Sequence, residues 1–160
     1  MEFVAVLDNI RSVHNVGSIF RTADAVGISR LYLCGITPTP CDRFGKIKKA
    51  FEKVSLGAEH SVPWRHARSC AAVVAKLQSE NFFVCALEQH PKSRSLFIRS
   101  AVPRAAKKVA LVVGSEIDGV SAGVLKRSDR IIEIPMRGTK ESLNVSVAFG
   151  IGAYHIMYRS

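Results

Sequence analysis

The sequence predicts an α/β domain built on a mainly parallel sheet that is covered on both faces. Three features point to it. The runs Phe3 to Leu7, Phe82 to Leu87 and Val109 to Gly114 are apolar without alternation, as strands buried on both faces tend to be. Stretches with apolar residues at helical spacing lie between them. The connections that follow the strands are polar and rich in glycine, and it is beyond the carboxyl ends of such strands that ligands bind.

Each element has its own local signal. Phe3 to Leu7 reads as the first strand, followed by the polar loop "DNIRSVHN". Val16, Ile19, Phe20, Ala23 and Val26 then recur at helical spacing, with Asn15 as N-cap and Gly27 as the stop. Leu31 to Cys34 is the next strand, and "GITPTPCDRFG" is a loop. "KIKKAFEKV" is basic and helical in pattern, and "HSVPW" is read as a short strand. His66 to Glu80 is expected to be a helix with Ala71, Val74, Ala75 and Leu77 on its apolar face. Strands Phe82 to Leu87 and Val109 to Gly114 follow, then a short helix over Ser121 to Lys126 with Ser121 as cap. Ile131 to Ile134 is the last strand. The final helix opens on Ser142, Leu143 and Asn144 and runs apolar to Ile156.

Bulk composition narrows the class. A chain of 160 residues with 48% hydrophobic residues fits one domain, 1–160, with a real core. No apolar run is long and charge-free enough to span a bilayer, and "MEFVAVLDN" lacks the basic region of a signal peptide. The four cysteines, Cys34, Cys41, Cys70 and Cys85, form no CxxC pair and no ligand spacing, so neither zinc nor a disulfide framework is expected. Free thiols in a cytoplasmic protein are the expectation. A net charge of +10 on so small a domain calls for a polyanionic partner, most often nucleic acid.

Several motifs can be weighed on their chemistry. "GSEIDGVS" has two glycines around four residues, but no Lys-Ser/Thr pair follows, so it is not a phosphate-cradling loop. No GxGxxG follows the first strand. The five histidines show no ligand spacing. Glu116, just past a strand end in a basic protein, needs a partner. Arg21, on the first helix, is either a solvated arginine or a planar donor fork aimed at a phosphate. Arg43, Lys46, Lys48, Lys49 and Lys53 cluster around Phe44 and Phe51, and such a set can track a phosphate backbone.

Three segments, in order, share a pattern: "NVGSIFRTADAVG" from Asn15, "LVVGSEIDGVS" from Leu111 and "IPMRGTKESLNVSVAFG" from Ile134. They resemble the three signature motifs of the SpoU/TrmH family of RNA ribose 2′-O-methyltransferases in the SPOUT superfamily, and the resemblance covers essentially the whole chain. It implies a C-terminal deep trefoil knot, a feature that topological rules treat as exceptional. It also implies S-adenosylmethionine as cofactor, no metal, and a homodimer with composite active sites.

The same resemblance assigns residues. Leu87, Gly114, Ile134, Met136 and Leu143 would surround the cofactor, with Gly114 small so that it can approach the backbone. Arg21, Asn15, Glu116, Ser142 and Asn144 would form the catalytic set. Asn15 would reach towards Arg21 or the substrate, and Glu116 would orient Arg21 or the third motif. Arg43, Lys46, Lys48 and Lys49 are the candidate RNA contacts. The pattern is that of a minimal catalytic domain, with tRNA slightly ahead of rRNA on size. A catalytically silent RNA-binding or assembly factor with the same fold is the second reading. Gly150 and Gly152, where small or aliphatic residues are more usual, are expected at a close helix contact of the dimer.

Overall fold

The structure is a computed structural model describing residues 1–159. One seven-stranded sheet runs through it in the order β3-β2-β1-β6-β4-β7-β5. The strands are β1 (Glu2–Asp8), β2 (Arg30–Cys34), β3 (Trp64–Ala67), β4 (Phe83–Leu87), β5 (Arg94–Ser95), β6 (Lys108–Gly114) and β7 (Arg130–Glu133). Every pairing is parallel. β6 enters between β1 and β4, and β7 between β4 and β5, so the later strands occupy places between earlier ones. Asp8 pairs with both Cys34 and Gly114, which brings three carboxyl ends to one level.

Both faces of the sheet are covered, as the continuous apolar strands require. Phe3, Ala5, Leu7, Leu111 and Val113 point into one core, beneath α1 (Val13–Val26), α2 (Lys49–Ser55), α3 (Ala58–Ser61) and α6 (Val145–Met157). Val4, Val6, Ala110 and Val112 point into the other, beneath α4 (Cys70–Ser79) and α5 (Ala122–Arg127). Alternate residues of one strand thus serve opposite cores. No helix among the described residues is long and apolar enough to cross a membrane.

The structure corrects several local readings. Asn15 does not cap α1. The cap is Ser12, whose Oγ accepts from the Asn15 amide at 3.2 Å. Gly27 closes the helix in the left-handed conformation, φ 80°, as expected. His60 and Ser61 belong to α3, and the third strand starts after Pro63, whose carbonyl accepts from the Leu31 amide at 2.9 Å. His66 therefore lies in a strand, and α4 starts at Cys70 with Ser69 Oγ accepting from the Ala72 amide. Ser121 does not cap α5 with its hydroxyl. Its amide instead donates to the buried Asp8 carboxylate at 2.9 Å. The last helix begins at Val145, not Ser142. Asn144 is its cap, with Oδ1 accepting from the Ser146 amide at 2.9 Å. The two-residue strand β5 is too short and polar to have left a signal.

Two glycines are explained inside the chain. A Cβ on Gly114 would lie 2.0 Å from the carbonyl carbon of Gly119, because the loop after β6 folds straight back over it. A Cβ on Gly152 would stand 3.2 Å from Leu87 Cδ2 and 3.4 Å from Leu111 Cδ2, so α6 lies on the sheet there. Gly152 thus packs against its own protomer, contrary to the expectation of a dimer contact.

Gly114→Ala is expected to destabilise the protein by about 1–3 kcal/mol or more, since main chain cannot move aside as a flexible side chain can. Chemical denaturation of both proteins measures it, and an unchanged midpoint would refute the close return of the loop.

Candidate active site

Three loops converge beyond the carboxyl ends of β4, β6 and β7 to form a cleft of about 440 Å³. Leu87 and Glu88 supply one side and Gly114 to Ile117 the second. Ile134, Met136, Ser142 to Val145 and Ala148 contribute to the third. All five residues assigned to the cofactor, Leu87, Gly114, Ile134, Met136 and Leu143, line it. Leu87 is buried while Leu143 is 38% exposed, so one wall is fixed and the other is open to solvent.

The mouth of the cleft is held by one chain of hydrogen bonds. Asn144 Nδ2 donates to Asn15 Oδ1 at 3.1 Å, and Asn15 Nδ2 donates to Glu116 Oε1 at 2.8 Å. The Glu116 carboxylate also accepts from the amides of Ser12, at 3.2 Å, and Arg11, at 3.1 Å. Residues 101 and 129 positions from Asn15 in sequence thereby meet on one side chain. Asn15 is buried, so its amide must find partners on both ends, and it does. That is why Asn15 sits inside the first helical turn rather than at its cap.

Glu116 is ionised more readily than an ordinary glutamate. Partial burial pushes its pKa up from 4.5. The donors Asn15, Arg11, its own amide and Ser12 together outweigh this and bring it down. Its role is to fix the loop that opens α1. Of the alternatives open in the sequence, the bonds follow the one through the third motif: Glu116 does not bond Arg21 but is linked through Asn15 to Asn144.

Arg21 is displaced from this network. It is exposed, makes no hydrogen bond or ion pair among the described residues, and does not line the cleft. Six residues after Asn15, it lies about 9 Å further along the helix and about 120° around it. Ser142 is on the cleft wall but in the loop, free of the capping role expected of it.

Among the wall residues left unassigned in the sequence, Glu88 and Gln89 hold loops in place. The Glu88 carboxylate accepts from the amides of Val120 at 2.8 Å and Gln89 at 3.0 Å. It fills the space beside Gly119, whose φ is 68°. Gln89 Nε2 donates to the Ile134 carbonyl at 2.9 Å, tying the loop after β4 to the loop after β7. Their only signal was their place in a polar loop after a strand. No group of three or more His, Cys, Asp or Glu among the described residues is placed to hold a metal ion.

The candidate RNA contacts lie apart, after β2. Arg43, Lys46 and Lys49 are exposed. Lys48 is partly engaged, its ammonium donating to the Thr39 carbonyl at 3.0 Å. Phe51 is fully buried, edge-on to Phe20 at 5.2 Å, and is core.

Comparison with known proteins agrees with this arrangement. The model of the SpoU rRNA methylase family matches residues 2–154. The chain belongs to that family. The order of strands is consistent with the trefoil-knotted SPOUT fold. The 23S rRNA (guanosine-2′-O-)-methyltransferase RlmB of Salmonella typhi is 33% identical over 149 residues, covering 93% of this chain and 57% of that protein. The chain thus spans little more than half the length of such curated relatives. An AdoMet-bound rRNA methyltransferase from Sinorhizobium meliloti superposes with TM-score 0.84 at 26% identity, covering 99% of this chain and 57% of that one. The TrmH/SpoU tRNA modifying enzyme of A. aeolicus does so with TM-score 0.79 at 29% identity, covering 98% and 74%.

The depressed carboxyl of Glu116 makes a pH prediction. Its contribution to stability is present above the ordinary glutamate range and is lost as pH falls through the lower folded value. Glu116→Gln should therefore flatten the acid limb of stability against pH, followed by thermal unfolding from about pH 7 to about pH 3. An acid limb identical to that of the native protein would contradict the assigned bonds.

Proposed function

We propose that the chain transfers a methyl group from S-adenosylmethionine to a ribose 2′-hydroxyl of RNA. The observation that carries this is the Asn144–Asn15–Glu116 chain, which joins all three motifs at the mouth of the cleft. A silent RNA-binding factor has no need to hold those polar groups together.

The cleft suits the cofactor chemically. Apolar Leu87, Val113 and Leu143 offer surface for a purine, and the carboxylates of Glu88, Glu116 and Glu133 offer negative charge to a sulfonium and an ammonium. S-adenosylmethionine supplies an already activated methyl group, so the protein's task is mainly to position. Ile134 and Met136 would present main-chain groups to the adenosine, and Gln89 would hold the Ile134 carbonyl in place. Ser142 and Asn144 would face the ribose. Arg21 would bind the adjacent phosphate and polarise the hydroxyl through its donors, since a guanidinium has no acceptor with which to take the proton. The proton would leave to solvent late in the transfer.

Arg21 lies outside the cleft of its own chain, which favours a homodimer in which Arg21 of each copy serves the other's cleft. The face of α6 beside α1 supports such a contact. Val147, Tyr154 and Tyr158 are exposed along one stripe. Gly150 lies within that stripe, where a Cβ would meet only Thr22 Cγ2, at 3.8 Å. Nothing in its own chain requires a glycine there, and close approach of a partner helix does. A cytoplasmic location is part of the same proposal. For the RNA species, size favoured tRNA, while the relatives include enzymes named for tRNA and for 23S rRNA. Both belong in the assay.

Labelled S-adenosylmethionine and unmodified tRNA or rRNA should yield label in alkali-resistant dinucleotides, because a 2′-O-methyl group blocks cleavage. Arg21→Ala should reduce the rate by about 100-fold or more, in the range lost when a transition-state donor is removed. Cofactor binding without transfer to either RNA would favour the silent factor, and no cofactor binding would overturn the proposal. Gly150→Ala should weaken dimerisation in sedimentation equilibrium. A dimer as tight as the native one would remove Gly150 from the interface.

A further inference from the structure

The loop between β2 and α2 is a built structure rather than a slack connection. Cys41 and Ile47 pair as an antiparallel bridge. Within it, Asp42 Oδ1 accepts from the amides of Phe44 at 2.8 Å and Lys46 at 3.0 Å. The Gly45 amide donates to the Asp42 carbonyl at 3.0 Å and the Asp42 amide to the Lys46 carbonyl at 2.9 Å. Gly45 takes φ 79°, which closes the turn. The residue at the tip of this tight hairpin is a phenylalanine that is 79% exposed.

An apolar ring in water is unfavourable, and here its immediate neighbours are Arg43, Gly45 and Lys46 rather than other apolar groups. The Arg43 guanidinium carbon stands 4.7 Å from the ring centroid, over one face. Apart from that cation the ring lies in solvent. The two aromatic residues of this basic segment are therefore unlike. Phe51 is buried against Phe20 and secures α2 to α1, whereas Phe44 contributes nothing to the core. The hairpin also leaves the sheet at the same end as the cleft, where Asn9 Oδ1 accepts from the Ile36 amide at 3.2 Å.

We propose that this hairpin is a stacking platform for one unpaired nucleobase of the RNA substrate, with Phe44 as the ring and Arg43 and Lys46 as contacts to the flanking phosphates. The proposal rests on the RNA reading above and makes it more specific. A base offers the ring a flat π-face, and the backbone on either side of that base brings negative charge to Arg43, Lys46 and Lys49, none of which forms an ion pair among the described residues. Rigid presentation of the ring lowers the ordering cost of binding. A fully paired helix cannot offer such a face except at its ends, so the hairpin selects single-stranded or bulged segments.

The test uses the native 160-residue chain and Phe44→Trp, Phe44→Leu and Phe44→Ala. Because the ring is outside the core, all four should unfold at the same temperature. Binding is measured to single-stranded oligo(A) and to a blunt RNA duplex of equal length. Native and Phe44→Trp should prefer the single strand, and the indole fluorescence of Phe44→Trp should be quenched much more by oligo(A) than by the duplex, which offers a face only at its ends. Phe44→Ala should bind oligo(A) about 5- to 100-fold more weakly, the range of a lost base–aromatic stack. Phe44→Leu should fall with it, since it keeps apolar area but lacks the π-face. In methyl transfer the same variants should raise KM for RNA and leave kcat intact.

Equal oligo(A) affinity in native and Phe44→Ala proteins would overturn the proposal. So would full retention by Phe44→Leu, or a change in self-association in place of RNA affinity. The two proposals fail separately. Methyl transfer that is indifferent to Phe44 sinks the platform and leaves the enzyme, whereas Phe44-dependent RNA binding without transfer does the reverse.

Discussion

The site depends on a single buried amide. Asn15 stands in the first turn of α1 with one end of its side chain bonded to Glu116 and the other to Asn144. A buried amide left unpaired is costly, so each of those bonds constrains where the other loop must lie. Glu116 in turn gathers the amides of Arg11 and Ser12, which fixes the entry into the helix. Asn144 spends its own oxygen on the Ser146 amide and so sets the start of α6. The geometry of the cleft mouth follows from these few groups rather than from any one loop.

The sheet makes this meeting available. β1 and β6 are neighbours in register, so the loops after Asp8 and Gly114 leave the sheet side by side. The loop after β6 must fold tightly to keep Glu116 beside α1, and Gly114 and Gly119 are where the chain permits it. The buried carboxylate of Asp8 holds the far end of that loop through the Ser121 amide. Two carboxylates at the ends of neighbouring strands thus have different tasks. Asp8 ties the loop down to the sheet, and Glu116 carries the link across to the helix.

Much of this was legible in the sequence. The continuous apolar strands announced a sheet buried on both faces, and Gly27 marked its helix end. The three motifs led to Asn15, Glu116 and Asn144, which the fold brings into contact. What was missed has physical reasons. Asn15 looks like a cap because asparagine is a good one, and only its distant partners reveal that its side chain is already taken. Gly114 lines the cleft as expected, but the return of the chain's own backbone at Gly119 also requires a glycine there, and no local pattern shows that. Gly152 suggested a partner helix and instead faces Leu87 and Leu111. Glu88 and Gln89 carried no local signal, since their work is done on amides and a carbonyl from other loops. Long-range pairing of this kind leaves no periodicity behind it.

The most direct test of the account is a structure of the chain with S-adenosylhomocysteine and a short RNA bound. It should place the cofactor's sulfur in the cleft among Leu87, Glu116 and Leu143, with a ribose 2′-oxygen beside it. The nearest guanidinium to that oxygen should be Arg21 from a second copy of the chain. A cofactor bound outside the cleft, or a ribose served by no Arg21 at all, would contradict it.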